Sequence, residues 1–212
     1  MTAATLAVIA KEPVAGRVKT RLCPPCTPQE AADLARAALR DTLATVLATP
    51  AARYVVLLDG APGPWLPPAF EVLPQRGAGL DERLANGFTD IGGPALIIGM
   101  DTPQVTPALL RAGLAALTRA PAVLGATADG GYWTIGLREP RPDALVGVPM
   151  SRADTCAAQR ARLAQLGLAV AELPRLIDVD DAATARAVAA QLGPRSAFAR
   201  AAAAVGLTQA AA

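Results

Sequence analysis

The chain contains no histidine. That absence removes Ser-His-Asp and Cys-His nucleophile activation and every imidazole general base, so any proton transfer falls to carboxylates or lysine, or is not needed. Lysine is nearly missing as well: of 20 basic residues only two, Lys11 and Lys19, are lysines, and the rest are arginines. Cysteine is sparse, and Cys23, Cys26 and Cys156 make an odd count that argues against a disulfide framework. Cys23-Pro24-Pro25-Cys26 has C-x-x-C spacing. Structural zinc, however, takes four protein ligands, and the chain offers neither a second such pair nor a histidine. A Pro-rich turn holding two small side chains is the reading kept. No stretch approaches the ~18 uninterrupted apolar residues of a membrane span. No basic segment precedes an apolar one at the N-terminus, so a secretory signal is not expected and a cytoplasmic location is. Net charge is +2, from 20 basic and 18 acidic residues, which leaves no general nucleic-acid footprint.

What is present is a globular pattern. Apolar residues make up 52% of 212, enough for a sizeable core. No repeat, composition shift or low-complexity linker marks an internal boundary, so one domain is expected over 1–194, with an Ala-rich helix or tail over 195–212. Thr27-Pro28-Gln29-Glu30 is a capping box with proline in the first turn, and the apolar spacing after it predicts a helix over about 28–48. Strands are predicted at 53–58, 72–74, 95–99, 122–126, 132–137 and 168–173. Helices are predicted from Leu80 to Ile91, from Thr106-Pro107 onward, and over 182–192. Ser151-Arg152-Ala153-Asp154 reads as a second capping box that opens a helix to about Leu166. Strands alternating with helices imply an α/β fold, a parallel sheet with helices on both faces. Ligands of such sheets bind in the crevice outside the carboxyl ends of the strands.

Three loops follow predicted strands directly and would meet at that edge. Lys11-Glu12-Pro13-Val14-Ala15-Gly16-Arg17-Val18-Lys19-Thr20-Arg21-Leu22 holds both lysines and is either a phosphate-gripping loop or a solvated basic one. Asp101, in Gly99-Met100-Asp101-Thr102-Pro103, would hold a hard cation or cap the Pro103 bend. Asp129-Gly130-Gly131 would bring bare backbone N–H groups against an anion or sugar, or would simply be a tight turn. Asp178 and Asp180 fall on one side of an extended segment and repel each other unless a cation or a basic group sits between them. Alternatively Asp180 or Asp181 is an ordinary cap for the helix beginning at 182; if Asp181 is the cap, Asp178 and Asp180 are free for a metal. Gln75, Gly77 and Gly79 precede a helix N-terminus, but the third glycine of a dinucleotide fingerprint is missing. Together these describe a site for a phosphorylated ligand with Mg2+ or Mn2+. Its chemistry is transfer at phosphorus, or at an anomeric carbon with a diphosphate leaving group.

In their order and content, the opening loop, Gly79-Leu80-Asp81-Glu82-Arg83-Leu84, Gly99–Pro103, Asp129–Leu137 and Ile177–Asp180 resemble the bacterial glycosyltransferases of the arsenosugar-biosynthesis type. That family lies in the nucleotide-diphospho-sugar transferase superfamily. More distantly, they are similar to 2-phospholactate and molybdenum-cofactor guanylyltransferases. The resemblance spans about residues 5–192 and implies a GT-A fold, a three-layer α/β/α sandwich on a mostly parallel mixed sheet. It places Lys11, Gly16, Lys19, Arg21, Gln75, Gly79 and Arg83 near the nucleotide and its phosphates. It places Asp101, Asp178 and Asp180 on the metal, and Asp129, Gly130, Gly131 and Tyr132 on the acceptor side, with Lys19, Arg21 and Asp129 as catalytic candidates. The implied activity is metal-dependent glycosyl transfer from a nucleotide-activated sugar to a small-molecule acceptor, by a monomer or homodimer. The alternatives are nucleotidyl transfer from an NTP to a phosphorylated acceptor, and a binding module without turnover. Met150 stands where this family usually has tryptophan.

Overall fold

The computed structural model describes residues 4–207. Seven strands form one sheet: β1 (Thr5–Lys11), β2 (Arg53–Asp59), β3 (Glu71–Pro74), β4 (Ala95–Gly99), β5 (Ala122–Thr127), β6 (Tyr132–Leu137) and β7 (Val170–Leu176). Their spatial order is β3-β2-β1-β4-β6-β5-β7. β6 runs antiparallel to β4 and β5, and every other pairing is parallel. The result is the mostly parallel mixed sheet expected.

Alternation along the strands feeds two cores. Leu6, Val8, Leu96 and Ile98 face α1 (Pro28–Leu47) and α3 (Pro107–Leu117), while Ala7, Val55, Leu57 and Ile97 face α2 (Leu80–Ile91) and α4 (Thr155–Gln165). Helices therefore cover both faces, and the third layer is complete. α1 starts as its capping box dictates: Thr27 Oγ1 accepts from Glu30 N at 3.2 Å, and Glu30 Oε2 accepts from Thr27 N at 2.7 Å. A third apolar cluster joins the outer face of α1 to α5 (Ala182–Gln191) and α6 (Ala197–Ala204). The Ala-rich segment after residue 195 thus contains a docked helix; residues 208–212 of the expected tail lie outside the described residues. Among the described residues no helix is long and apolar enough to cross a membrane.

Two predicted elements need correction. Ser151 does not cap α4: its backbone is left-handed (φ 58), and the helix begins only at Thr155. The turn before it is spent on another contact, because Cys156 N donates to Gly130 O at 2.8 Å and Arg152 N to Thr155 Oγ1 at 3.0 Å. β7 runs from Val170 to Leu176, beyond the predicted end at Leu173. Pro174 is tolerated because β7 is an edge strand, where its missing N–H costs no ladder bond. A bulge near Gly125–Thr127 keeps the pairing going to Thr127–Leu176.

Candidate active site

The carboxyl ends of the parallel strands open onto a cavity of about 850 Å3. Lys11 ends β1, Asp101 follows β4, Asp129 follows β5 and Asp178 follows β7, so segments far apart in sequence meet at one edge. The convergence is a product of parallel topology, which brings every such strand end to the same side.

Two acid–base pairs span this edge. Lys19 Nζ lies 2.8 Å from Asp101 Oδ2 and also donates to Val179 O, and Arg21 pairs with Asp180. Val179 N donates to Asp101 O at 2.9 Å, and the Gln104 side chain donates through Nε2 to Ile177 O, so one main-chain and one side-chain bond tie the stretch from Asp101 to Gln104 to the segment from Ile177 to Asp180. Asp181 caps α5 by accepting from Thr184 N at 2.8 Å. Asp178 and Asp180 are accordingly released from capping duty and both line the cavity. Burial, then the charge of Asp129, push the Asp178 carboxyl above its usual range, with Asp180 adding to the effect and Lys19 opposing it.

Asp101 Oδ1 is buried and has no partner. An unpaired carboxylate oxygen in a cavity also lined by Asp129, Asp178 and Asp180 fits a hard divalent cation. Among the described residues no three carboxylate, thiol or imidazole groups converge as a ready-made cage. A magnesium-like ion that keeps water and borrows ligand phosphates does not need one.

At the end of the cavity near β2 and β3, Gln75 Nε2 donates to Ala10 O (2.8 Å) and Leu57 O (2.9 Å), and its Oε1 accepts from Arg83 (3.3 Å). Arg83 in turn pairs with Asp59 at 2.8 Å. These side chains brace the strand ends, and Gln75 and Arg83 line the cavity as they do so. Asp59 had the same strand-end signal as Asp101 and was passed over in the sequence. Lys11 is exposed at the rim, its N–H directed to Met100 Sδ at 3.3 Å. Gly16, Gly79 and Gly130 do not line the cavity, although their neighbours Arg17, Leu80 and Gly131 do.

At the opposite end, Asp129 Oδ1 accepts from Thr127 Oγ1 (2.5 Å) and Gly131 N (2.9 Å), which orders its own turn. Arg175 braces that turn by donating to the carbonyls of Thr127 (3.0 Å) and Ala128 (2.6 Å). Gly130 has to be glycine: its φ is 94°, and a Cβ there would stand 1.8 Å from Ala153 O. Tyr132 and Met150 form part of the wall, and burial pushes the Tyr132 phenol above its usual pKa. Arg152 lines this end too, paired with Asp154 at 3.0 Å. It was hidden in the sequence by the false capping box. Cys23, Cys26 and Cys156 are free thiols, and burial, first among several causes, raises Cys26.

This sheet with helices on both faces is the fold of the nucleotide-diphospho-sugar transferase-like proteins. The chain belongs to the bacterial family described as "Uncharacterized protein conserved in bacteria (DUF2064)", whose pattern matches residues 26–152. It superposes on a nucleotide-diphospho-sugar transferase-like protein from Desulfovibrio desulfuricans G20, with 26% identity, 97% of each chain covered and a TM-score of 0.84. In fold alone it is also similar to CMP:2-keto-3-deoxy-manno-octonic acid synthetase complexed with CTP (12% identity, 86% and 95% covered, TM-score 0.55). The same holds for Rv0371c of Mycobacterium tuberculosis H37Rv (19% identity, 89% and 98% covered, TM-score 0.54). No curated protein matches.

Proposed function

We propose that the protein is a metal-dependent transferase that binds a nucleotide-activated sugar with Mg2+ or Mn2+ and passes the sugar to a small-molecule acceptor. This is the chemistry of the arsenosugar-biosynthesis type its motifs resemble. The observation that carries the reading is one cavity lined by both lysines, Arg21, Asp101, Asp178 and Asp180 at the carboxyl edge of the sheet. A nucleoside diphosphate group needs that mixture: cations for its oxygens, and carboxylates for the cation that travels with it. When bound, the divalent cation supplies charge neutralisation at the diphosphate, and Asp101, Asp178 and Asp180 are the residues that would hold it. Lys11, Arg17 and Arg21 are exposed and lie where phosphate oxygens would meet them. The acceptor enters at the Asp129–Tyr132 end, where the Asp129 carboxylate is the candidate to take a hydroxyl proton.

A second reading, nucleotidyl transfer to an acceptor phosphate, is favoured by one feature. Asp129 is engaged in ordering its own turn, and an already ionised acceptor needs no base. A thermal-shift panel of nucleotide sugars and NTPs, each with and without Mg2+ or Mn2+, separates the two. A ligand at about 100 times its Kd stabilises the protein by ~2.7 kcal/mol. Stabilisation by nucleotide sugars and metal is the expected result. A response to NTPs alone selects the second reading, and no response to either rejects both.

A further inference from the structure

Lys19 is the most enclosed of the ion-paired basic side chains of the cavity, 9% exposed against 26% for Arg83, 62% for Arg152 and 73% for Arg21. It reaches that position from a left-handed backbone (φ 50, ψ 37), one of two non-glycine residues with positive φ among the described residues. Such a conformation persists only where the surroundings enforce it. Here they do so through the ammonium: it donates to Asp101 Oδ2 at 2.8 Å and to Val179 O, while Val179 N bonds back to Asp101 O at 2.9 Å. One side chain thus ties the opening loop, the Asp101 turn and the Asp178–Asp180 segment into a ring. The other oxygen of Asp101 is left buried and unpaired.

We propose that Lys19 is a positioning residue for the cation site. It anchors Asp101 by one oxygen and the segment between Asp178 and Asp180 by its central carbonyl, and so presents Asp101 Oδ1 to the divalent cation. This rests on the metal–nucleotide reading above and takes Lys19 away from the phosphates, which are left to Lys11, Arg17 and Arg21. The two roles predict opposite signs. A positive charge that merely stands near a bound cation repels it, so its removal tightens metal binding. A residue that orients a ligand strengthens binding, and loss of such partners typically weakens metal affinity about 10–100-fold.

The test titrates Mn2+ alone, without nucleotide, into wild type and Lys19→Met, following free Mn2+ by EPR after thermal melts have shown both folded. The expected result is binding weaker by ~10-fold or more in Lys19→Met, with Lys19→Arg recovering most of it. If Lys19→Met melts below the working temperature, Lys19→Gln, uncharged but still a donor, takes its place, with weakened Mn2+ binding again expected. Unchanged or tighter Mn2+ binding in the uncharged variant overturns the proposal, and loss of nucleotide affinity in EDTA would then return Lys19 to the phosphates. If wild type binds Mn2+ only with a nucleoside diphosphate present, the same comparison is made on that complex; no saturable Mn2+ binding in either condition rejects the metal reading of the site itself, and the proposal with it.

Discussion

The Asp178 carboxyl is part-buried and faces Asp129 and Asp180, and burial is the larger reason its pKa rises. A carboxyl whose native pKa lies above the unfolded one destabilises the fold when ionised. The penalty is absent below the unfolded pKa of ~3.9 and grows as pH rises through the native one. Asp178→Asn is therefore expected to raise the Tm at pH 7 in metal-free buffer. The gain should shrink as the pH falls toward ~4, the ordinary carboxylate range, and added Mn2+ should stabilise wild type more than the variant. Melts across that range decide it; a lower Tm for the variant at pH 7 would mean that Asp178 serves the fold and not a ligand. The acidic cluster is thus held together at some cost in stability, as expected of groups kept for binding.

Among the elements, α6 has the least obvious role. Asp41 on α1 collars its start, accepting from Ser196 Oγ (2.6 Å), Ala197 N (2.9 Å) and Phe198 N (2.9 Å). Phe198 and Leu207 then pack in one buried cluster with Leu22, next to Arg21, and with Val179, between Asp178 and Asp180. The helix lies beyond the part of the chain that defines its family, yet it floors two of the site's loops. Phe198→Ala should cost about 3–5 kcal/mol in urea unfolding. It should also weaken nucleotide binding more than an equally destabilising cavity in the core facing α2, such as Phe88→Ala. Equal binding losses in the two variants would reduce α6 to ordinary packing.

For the molecule as a whole, the sheet and its crevice were legible in the sequence because both follow from local patterns. Apolar runs such as Ala95–Gly99 mark buried strands, and an acid or a basic loop just after each run marks the edge where ligands bind. The capping boxes show how far local pattern reaches: Thr27–Glu30 obeyed it, whereas at Ser151 a contact to Gly130 overrode it. What could not be read is the pairing of Lys19 with Asp101 and of Arg21 with Asp180. No period in the sequence links such distant residues; only the folded sheet edge does. The bracing of Gln75 by Ala10 and Leu57 was hidden for the same reason, since a side chain aimed at main chain leaves no trace in residue spacing.

One wall of the cavity is also an optical probe. The chain has two tryptophans. Trp133 is buried in the cavity wall against Gly125, with its indole N–H on Pro174 O at 3.0 Å, while Trp65, in the loop after β2, is only partly buried and does not line the cavity. Trp133 should emit at short wavelength and respond when the cavity fills, and Trp65 should supply a redder, unresponsive background. In Trp65→Phe the ligand-induced fluorescence change should persist and grow as a fraction of the signal, and in Trp133→Phe it should vanish. The protein thus carries its own dye in the wall of that cavity, and binding can be followed without labels or turnover.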